Sequence, residues 1–246
     1  MTTARSAVRE TKAAIRERAQ AIVAALAAEY GAPRCELDHQ SPLELLVATI
    51  LSAQCTDARV NLVTPALFAS HRTAADYAHS PPGALERLIR STGFFNAKAN
   101  NLRGCGRALV ERHGGAVPRT MEELVALPGV ARKTANVVLG TAYGIASGVV
   151  VDTHVQRITR LLRLTRADDP VKVERDLVAL LPQAEWIAFS HRLIRHGRTT
   201  CIARRPKCDR CCLAALCPSA RRAEPVRPTG APAAPALKKS RRAKVR

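Results

Sequence analysis

The fold is most clearly indicated by one segment, Leu127-Pro128-Gly129-Val130-Ala131-Arg132-Lys133-Thr134. A capping box of Thr120 and Glu123 precedes it, and apolar residues at helical spacing follow it through Ala142. Because the Pro-Gly pair favours a tight turn, the stretch predicts two helices joined by a hairpin within residues 121–140. Such a turn, with the start of the second helix, can aim backbone N–H groups at a phosphate.

Lys133 falls in the first turn of the second predicted helix. On local evidence, a lysine at such a place is more often a phosphate contact or a plain surface charge. The positive end of the helix dipole, however, disfavours an ammonium group, and burial would disfavour it further. Both effects would favour a free amine, so Lys133 is a candidate covalent nucleophile.

The chain has a helical pattern on both sides of the hairpin. Ser41-Pro42-Leu43-Glu44 predicts a capped helix start, and Asp169-Pro170 predicts another. A further helical stripe includes Trp186, Phe189 and Leu193. The one strand-like run, at residues 149–151, is too short to found a sheet, so the predicted fold is all-α.

Val151-Asp152-Thr153-His154 joins that apolar run to a predicted helix start. Asp152 is well placed as an N-cap, which is the more common role for an aspartate there. Because capping fixes the position of the carboxylate, a catalytic role remains compatible with it.

The net charge is +19 at pH 7 and the sequence pI is about 10.6, which is typical of proteins that bind polyanions. Residues 218–246 contribute +8 of this charge, leaving +11 for residues 1–217. A ribosome-associated or merely cationic protein would share this feature. An aromatic content of 3% disfavours a single-strand binder that stacks bases on rings. The sequence shows no apolar run that predicts a membrane span and no secretory signal, so we expect a cytoplasmic protein.

Five of the eight cysteines are clustered near the C-terminus, which favours a metal site over disulfides. Four of them have the spacing C-x6-C-x2-C-x5-C, at Cys201, Cys208, Cys211 and Cys217. Four thiolates can hold a zinc ion or a [4Fe–4S] cluster, and the wide x6 and x5 spans favour the cluster modestly. Cys212 does not fit the spacing and is expected to be a neighbouring thiol.

The sequence also predicts the environment of the remaining three cysteines and the role of the loop between the first two ligands. Cys35, Cys55 and Cys105 lie among helical patterns and are expected to be buried thiols. The loop between Cys201 and Cys208 is cationic, which predicts either a phosphate-binding ledge or a solvated loop, through Arg204, Arg205 and Lys207.

Taken together and in this order, the motifs resemble the bacterial endonuclease III family of the helix–hairpin–helix DNA glycosylase superfamily. The resemblance runs from about residue 15 to residue 220 and also includes Leu51-Ser-Ala-Gln-Cys-Thr-Asp57 and His196-Gly-Arg198. It implies a bilobed all-α fold that binds DNA between the lobes. The predicted division is a basic extension and helix at 1–34, a helical barrel at 35–145, a cluster lobe at 146–217 and a disordered basic tail at 218–246.

The resemblance also implies an activity, namely a bifunctional DNA glycosylase and abasic-site lyase of base excision repair that works as a monomer on damaged double-stranded DNA. Lys133 would attack the sugar of a flipped oxidised pyrimidine, Asp152 would stabilise the sugar cation, and β-elimination would nick the strand on the 3′ side. A [4Fe–4S] cluster would shape the basic loop without taking part in the chemistry. The expected DNA contacts are Gln54, Phe94, Gly129, Val130, Ala131, Arg132, His154, Arg204, Arg205 and Lys207.

Two positions depart from the family pattern. Ala131 stands where the hairpin usually has a second glycine, so a need for positive φ there would cost about 1 kcal/mol or more and weaken the grip on phosphate. Phe94 stands where the wedge is commonly leucine, and a phenyl ring could stack on the orphaned base.

Three other interpretations are weaker. An adenine glycosylase of the same superfamily would lack the lysine and carry an extra C-terminal domain. A non-catalytic DNA-binding module would combine the hairpin with a zinc-loaded cysteine loop. An electron carrier does not fit, because the cysteine spacing of ferredoxins is not met. Carriers also rarely need a net charge of +11, which residues 1–217 have.

Overall fold

The computed structural model describes residues 10–32 and 34–220, and within these ranges it contains helices and no β-strand. The eleven α-helices are α1 (Lys12–Tyr30), α2 (Pro42–Leu51), α3 (Asp57–Ser70), α4 (Ala74–Ala78), α5 (Ala84–Ile89), α6 (Phe95–His113), α7 (Met121–Val125), α8 (Arg132–Tyr143), α9 (Thr153–Leu161), α10 (Pro170–Leu180) and α11 (Trp186–Thr199). Short 3-10 turns cover Arg90–Thr92, Gln183–Glu185, Cys208–Arg210 and Ala214–Leu216. The predicted all-α fold is confirmed.

The observed helices start at the N-caps that the sequence predicts. The Ser41 hydroxyl accepts a hydrogen bond from Glu44 N, and the Glu44 carboxylate accepts one from Gln40 N, one residue outside the usual box. Asp169 caps α10 by accepting from Lys172 N. Such side chains pair backbone donors that have no partner inside the helix.

The buried apolar residues form two separate clusters. One joins α2 to α8 and runs along the chain from Leu37 to Leu139. The other joins α1 to α9, α10 and α11, and it includes Val149 and Leu213. The described residues therefore contain two apolar cores, and the division of the chain into a barrel lobe and a cluster lobe stays a prediction.

A close helix contact stiffens the first cluster. A Cβ atom at Gly106 of α6 would lie 2.7 Å from both Ala74 O and Ala78 N of α4. A glycine is therefore required for α4 to lie directly on α6.

The structure describes only parts of the predicted N-terminal extension and of the predicted basic tail. The first nine residues, and residues 221–246 of the predicted basic tail, lie outside the described residues. The first part of that tail is described, and Ser219 Oγ donates a 2.8 Å hydrogen bond to Leu161 O. The cysteine loop is therefore ordered as far as Ala220. No described helix is both long and apolar enough to cross a membrane.

Candidate active site and cysteine loop

The hairpin turn has the geometry that its sequence predicts. Gly129 has φ +79°, and a Cβ atom there would lie 2.8 Å from Asn101 Cβ, so glycine is needed both for the turn and for its packing on α6. Val130 N donates to Leu127 O and closes the turn. The N-cap of α8 is Ala131, which makes no side-chain capping bond, so no side chain competes for the first N–H groups of the helix.

Two expectations about this hairpin are corrected. Ala131 has φ −89°, which alanine adopts without strain, so the expected cost of replacing a second glycine does not arise. Lys133 lies in the first turn of α8 as predicted, but its side chain is exposed. The protein alone therefore does not bury this amine, and any desolvation has to come from a bound substrate.

Asp152 is the N-cap of α9, as predicted, and its carboxylate is firmly held. Oδ1 accepts from His154 N at 2.9 Å and from Val155 N at 2.8 Å, while Oδ2 lies 2.8 Å from His154 Nδ1. The extended segment before it is buried, and Val150 N donates to Ser190 Oγ. A carboxylate has about four acceptor positions, so these three contacts leave about one, on Oδ2, for a further partner.

Lys133 and Asp152 line one cavity of about 750 Å³. Its walls come from both apolar clusters, because α8 belongs to the first and α9 and α11 to the second. Of the predicted site residues, the cavity brings together Gln54, Ala131, Lys133, Asp152 and His154. Its lining does not include Phe94, Gly129, Val130, Arg132 or the three cations of the cysteine loop.

Gln54, an expected DNA contact, and Phe94, at the wedge position, share an unusual backbone conformation. Gln54 has φ +52° and Phe94 has φ +50°, and both side chains are exposed. The left-handed region costs a non-glycine residue about 1–2 kcal/mol, and such strain collects at functional sites. Phe94 is 67% exposed, so no burial of its ring in the free protein offsets that strain.

Arg132 is occupied by a partner that the sequence did not reveal. Its Nε and Nη2 donate to the Glu174 carboxylate at 2.9 and 3.2 Å, and Asn136 Nδ2 donates to the same carboxylate at 2.8 Å. The hydrogen bond to Glu174 raises the pKa of Arg132. Arg132 therefore ties α8 to α10, next to Lys133, and its guanidinium is only half exposed for any contact with DNA.

The four cysteines of the predicted motif line one small pocket of about 130 Å³, and Cys212 is not among its lining residues. Arg157 Nη1 lies 3.5 Å from Cys201 Sγ, and His196 Nε2 lies 3.5 Å from Cys211 Sγ. Desolvation lowers the pKa of His196 to about 4, so its ring is neutral, and Tyr30 Oη lies 2.8 Å from its Nδ1. A neutral ring that accepts from Tyr30 has its Nε2 proton free to point at the sulfur.

Within residues 10–32 and 34–220, no three His, Cys, Asp or Glu side chains converge closely enough to hold a single metal ion.

The three cations of the loop beside this pocket differ in their contacts. Arg204 and Arg205 are exposed. Lys207 Nζ instead donates to Thr199 O at 2.9 Å, at the C-terminal end of α11, where a cation offsets the helix dipole.

Residues 47–183 match the family described as HhH-GPD superfamily base excision DNA repair protein. Endonuclease III of Synechocystis is 55% identical over 205 residues, which cover 83% of this chain and 94% of that protein. The chain belongs to the endonuclease III family. Endonuclease III of Escherichia coli is 41% identical over 185 residues, covering 75% of this chain and 87% of its own length.

Two solved endonuclease III structures share this fold. One is a non-covalent endonuclease III–DNA complex, with a TM-score of 0.79 and 43% identity over 83% of this chain and 96% of that chain. The other is a trapped endonuclease III–DNA covalent intermediate with an estranged adenine, with a TM-score of 0.79, 42% identity and the same coverage. A structural likeness this strong confirms the bilobed endonuclease III fold.

In this member of the endonuclease III family, two polar residues at or behind the site were not predicted from the sequence as site residues. Arg198 lines the cavity and bonds Asp57 at 2.6 Å, so it links α11 to the start of α3 across the lobes. Lys98 is 4% exposed, although it lies among the apolar residues of α6. A signal for Lys98 was present: it stands three residues after Phe95 and four before Leu102, on the stripe that faces the core.

Three thiols differ from one another more than predicted. Cys105 is buried as expected, and burial raises its pKa to about 12. Cys35 and Cys55 are only partly buried and line the active-site cavity. The expectation of three buried thiols is therefore wrong for these two.

Proposed function

We propose that the protein is a bifunctional DNA glycosylase and abasic-site lyase that releases oxidised pyrimidines from double-stranded DNA. The observation that carries this proposal is the shared cavity, which has an exposed primary amine on one lobe and a fixed carboxylate on the other. Membership of a base excision repair family supports it. A relative that has been trapped as a covalent intermediate with DNA supports a covalent mechanism.

In this mechanism, Lys133 Nζ forms a bond to C1′ of the flipped nucleotide while the bond from C1′ to the base breaks. The base leaves with the electron pair and takes up a proton. The sugar ring then opens to a Schiff base, loss of a C2′ proton expels the 3′ phosphate, and the strand is nicked. Entry of the substrate would exclude water from the exposed Lys133 side chain and hold its Nζ against C1′.

Asp152 would stabilise the positive charge that develops on the sugar. Its orientation is preset by two backbone N–H groups and by the ring of His154, so it need not reorganise during the reaction. We therefore place His154 as a neighbour that positions Asp152, in addition to its predicted contact with DNA.

The DNA contacts are proposed at three places. The turn at Gly129 and the uncapped start of α8, at Val130 and Ala131, would bind a phosphate through backbone N–H groups. Gln54 and Phe94 would fill the gap left by the flipped nucleotide. Arg204 and Arg205 would contact phosphates on the cysteine loop.

Arg132 and Lys207 are proposed only as secondary contacts with DNA. Each already has a protein partner, Glu174 for Arg132 and Thr199 O for Lys207.

A [4Fe–4S] cluster is proposed at Cys201, Cys208, Cys211 and Cys217, where it would supply a rigid structural anchor for the cationic loop. Arg157 and His196 would donate hydrogen bonds toward two of the sulfurs. Analysis of iron and labile sulfide tests the ligand set. We expect about four irons per chain in the wild type and in Cys212→Ser, and a large loss in Cys211→Ser. Zinc without sulfide would contradict the assignment.

The substrate also suggests where the enzyme acts. An enzyme that repairs chromosomal DNA works on the nucleoid, and we place this one there, in a bacterial cytoplasm.

Base release and strand nicking on a duplex that contains thymine glycol test the activity. We expect Lys133→Gln to abolish both products and Asp152→Asn to slow base release by about 10²–10⁴-fold. Release of the base by the wild type without any nick would point instead to a monofunctional glycosylase. No release by the iron-loaded protein would favour a DNA-binding module.

A further inference from the structure

We propose that Lys98 is a positioning residue that ties together the loops carrying Gln54 and Phe94, and so sets how the gap in the duplex is filled. This inference rests on the proposed function, because only an enzyme that flips a nucleotide leaves such a gap. It concerns a side chain that lies behind the DNA-facing surface and would not touch the substrate.

The geometry places one ammonium between two chain segments. Lys98 Nζ donates to Leu51 O at 2.8 Å and to Thr92 O at 2.8 Å. Leu51 is the last residue of α2 and stands three residues before Gln54. Thr92 ends the 3-10 turn and stands two residues before Phe94. The two loops therefore share one buried anchor.

Lys98 is a poor choice for stability alone. Its side chain is almost fully buried, and its two bonded partners are neutral carbonyls rather than a carboxylate. Desolvation lowers its pKa, and its ionisable neighbour is the thiol of Cys55. An apolar side chain would fill the same space without a buried charge. Unlike an apolar side chain, the ammonium donates directional hydrogen bonds, and these hold two backbone carbonyls in fixed positions.

The backbone on both sides needs such an anchor. Gln54 and Phe94 are two of the three non-glycine residues with positive φ in the described part of the chain. Conformations of this kind persist only where the surrounding structure fixes them. The buried ammonium fixes the segment directly before each of them, so it fixes how each exposed side chain points toward the DNA.

The test compares two substrates of the intact, iron-loaded protein. On a duplex with thymine glycol, reaction requires extrusion of the base and filling of the gap. On a single-stranded abasic oligonucleotide, Lys133 can form its Schiff base without any gap. For Lys98→Met we expect base release from the duplex to fall by about 100-fold, while single-strand cleavage stays within about two-fold of the wild type. Lys172→Met, at an exposed lysine on α10, is the matched control and should change neither rate.

Two further variants keep the test decisive. Lys98→Arg retains N–H donors at the site, so its loss on the duplex should be smaller than that of Lys98→Met. Phe94→Ala combined with Lys98→Met should lose less than the product of the two single losses, because both changes disable the same filling step. If Lys98→Met does not fold, the selectivity of Lys98→Arg for the duplex reaction decides the matter.

The outcomes separate the two proposals. Equal loss on both substrates, or no loss on the duplex, would overturn the role of Lys98 while leaving the proposed function in place. Failure of the wild type to cleave either substrate would instead overturn the proposed function.

Discussion

The carboxylate of Glu174 is predicted to hold the two lobes together beside the active site. The perturbation is Glu174→Gln, which keeps the volume of the side chain but removes its charge. Glu174 is 7% exposed and accepts hydrogen bonds from Arg132 and Asn136. Oε1 of Glu174 accepts from Arg132 Nη2 and Asn136 Nδ2, and Oε2 accepts from Arg132 Nε, whereas a glutamine has one oxygen and an N–H₂ group in place of the other. The substitution therefore leaves at least one donor without a partner.

The expected loss of stability follows from the burial of those donors. Asn136 is 4% exposed, and a glutamine offers it either a neutral oxygen in place of a charged one or no acceptor at all, which should cost about 1–2 kcal/mol. The Arg132 side chain is 50% exposed, so water replaces part of its lost ion pair and its share is about 1 kcal/mol at most. A total of about 2 kcal/mol corresponds to a Tm lowered by about 4–8 °C in a protein of this size.

Thermal unfolding of the iron-loaded proteins, followed by circular dichroism, measures this effect. The matched control is Glu111→Gln, at an exposed position on α6, which should leave the Tm within about 1 °C of the wild type. A fall of less than about 2 °C for Glu174→Gln, or one equal to that of the control, would refute the reasoning that this network joins α8 to α10.

Three other predictions concern pH, strain and charge. Desolvation lowers the pKa of His71 from 6.5 and outweighs the opposite effect of Asp76. As the pH drops below 6.5, the unfolded chain therefore takes up a proton at this residue before the folded chain does, and the free energy of unfolding should fall. His71→Asn should make the fall in Tm between about pH 7.5 and pH 5.5 less steep, while desolvated His191 and His196 cause the remainder, and an unchanged slope would show that His71 does not contribute. Phe94→Gly should relieve the left-handed strain and raise the Tm by about 2–4 °C while slowing base release from a duplex, and a lowered Tm would contradict the strain argument. Deletion of residues 221–246 should reduce the salt dependence of DNA binding, measured by fluorescence anisotropy at several salt concentrations, because this segment adds cations to a body that is already basic.

Local sequence signals were sufficient to predict most of the fold. Caps such as Ser41 and Asp169, and the Pro-Gly turn at Gly129, act over a few residues, so their effects can be predicted without knowing the tertiary structure. The position of Asp152 at the start of α9 followed from the same kind of reasoning.

Features that depend on contacts between distant residues could not be predicted in this way. Glu174 lies 42 residues beyond its partner Arg132, and no local pattern pairs the two. The exposure of Lys133, at the start of α8, likewise could not be predicted from the residues around it in the sequence. Ala131 has a negative φ, so the position of the turn that needs positive φ is Gly129.

If Lys133 is the covalent nucleophile, borohydride trapping should join it to the DNA. The iron-loaded protein would be incubated with an abasic-site duplex and with a thymine glycol duplex in the presence of borohydride, which reduces a Schiff base to a stable adduct. We predict a covalent protein–DNA adduct with the wild type and with Lys172→Ala, and none with Lys133→Ala. An adduct of undiminished yield in Lys133→Ala would contradict the assignment, and the absence of any adduct in the wild type would contradict the Schiff-base mechanism itself.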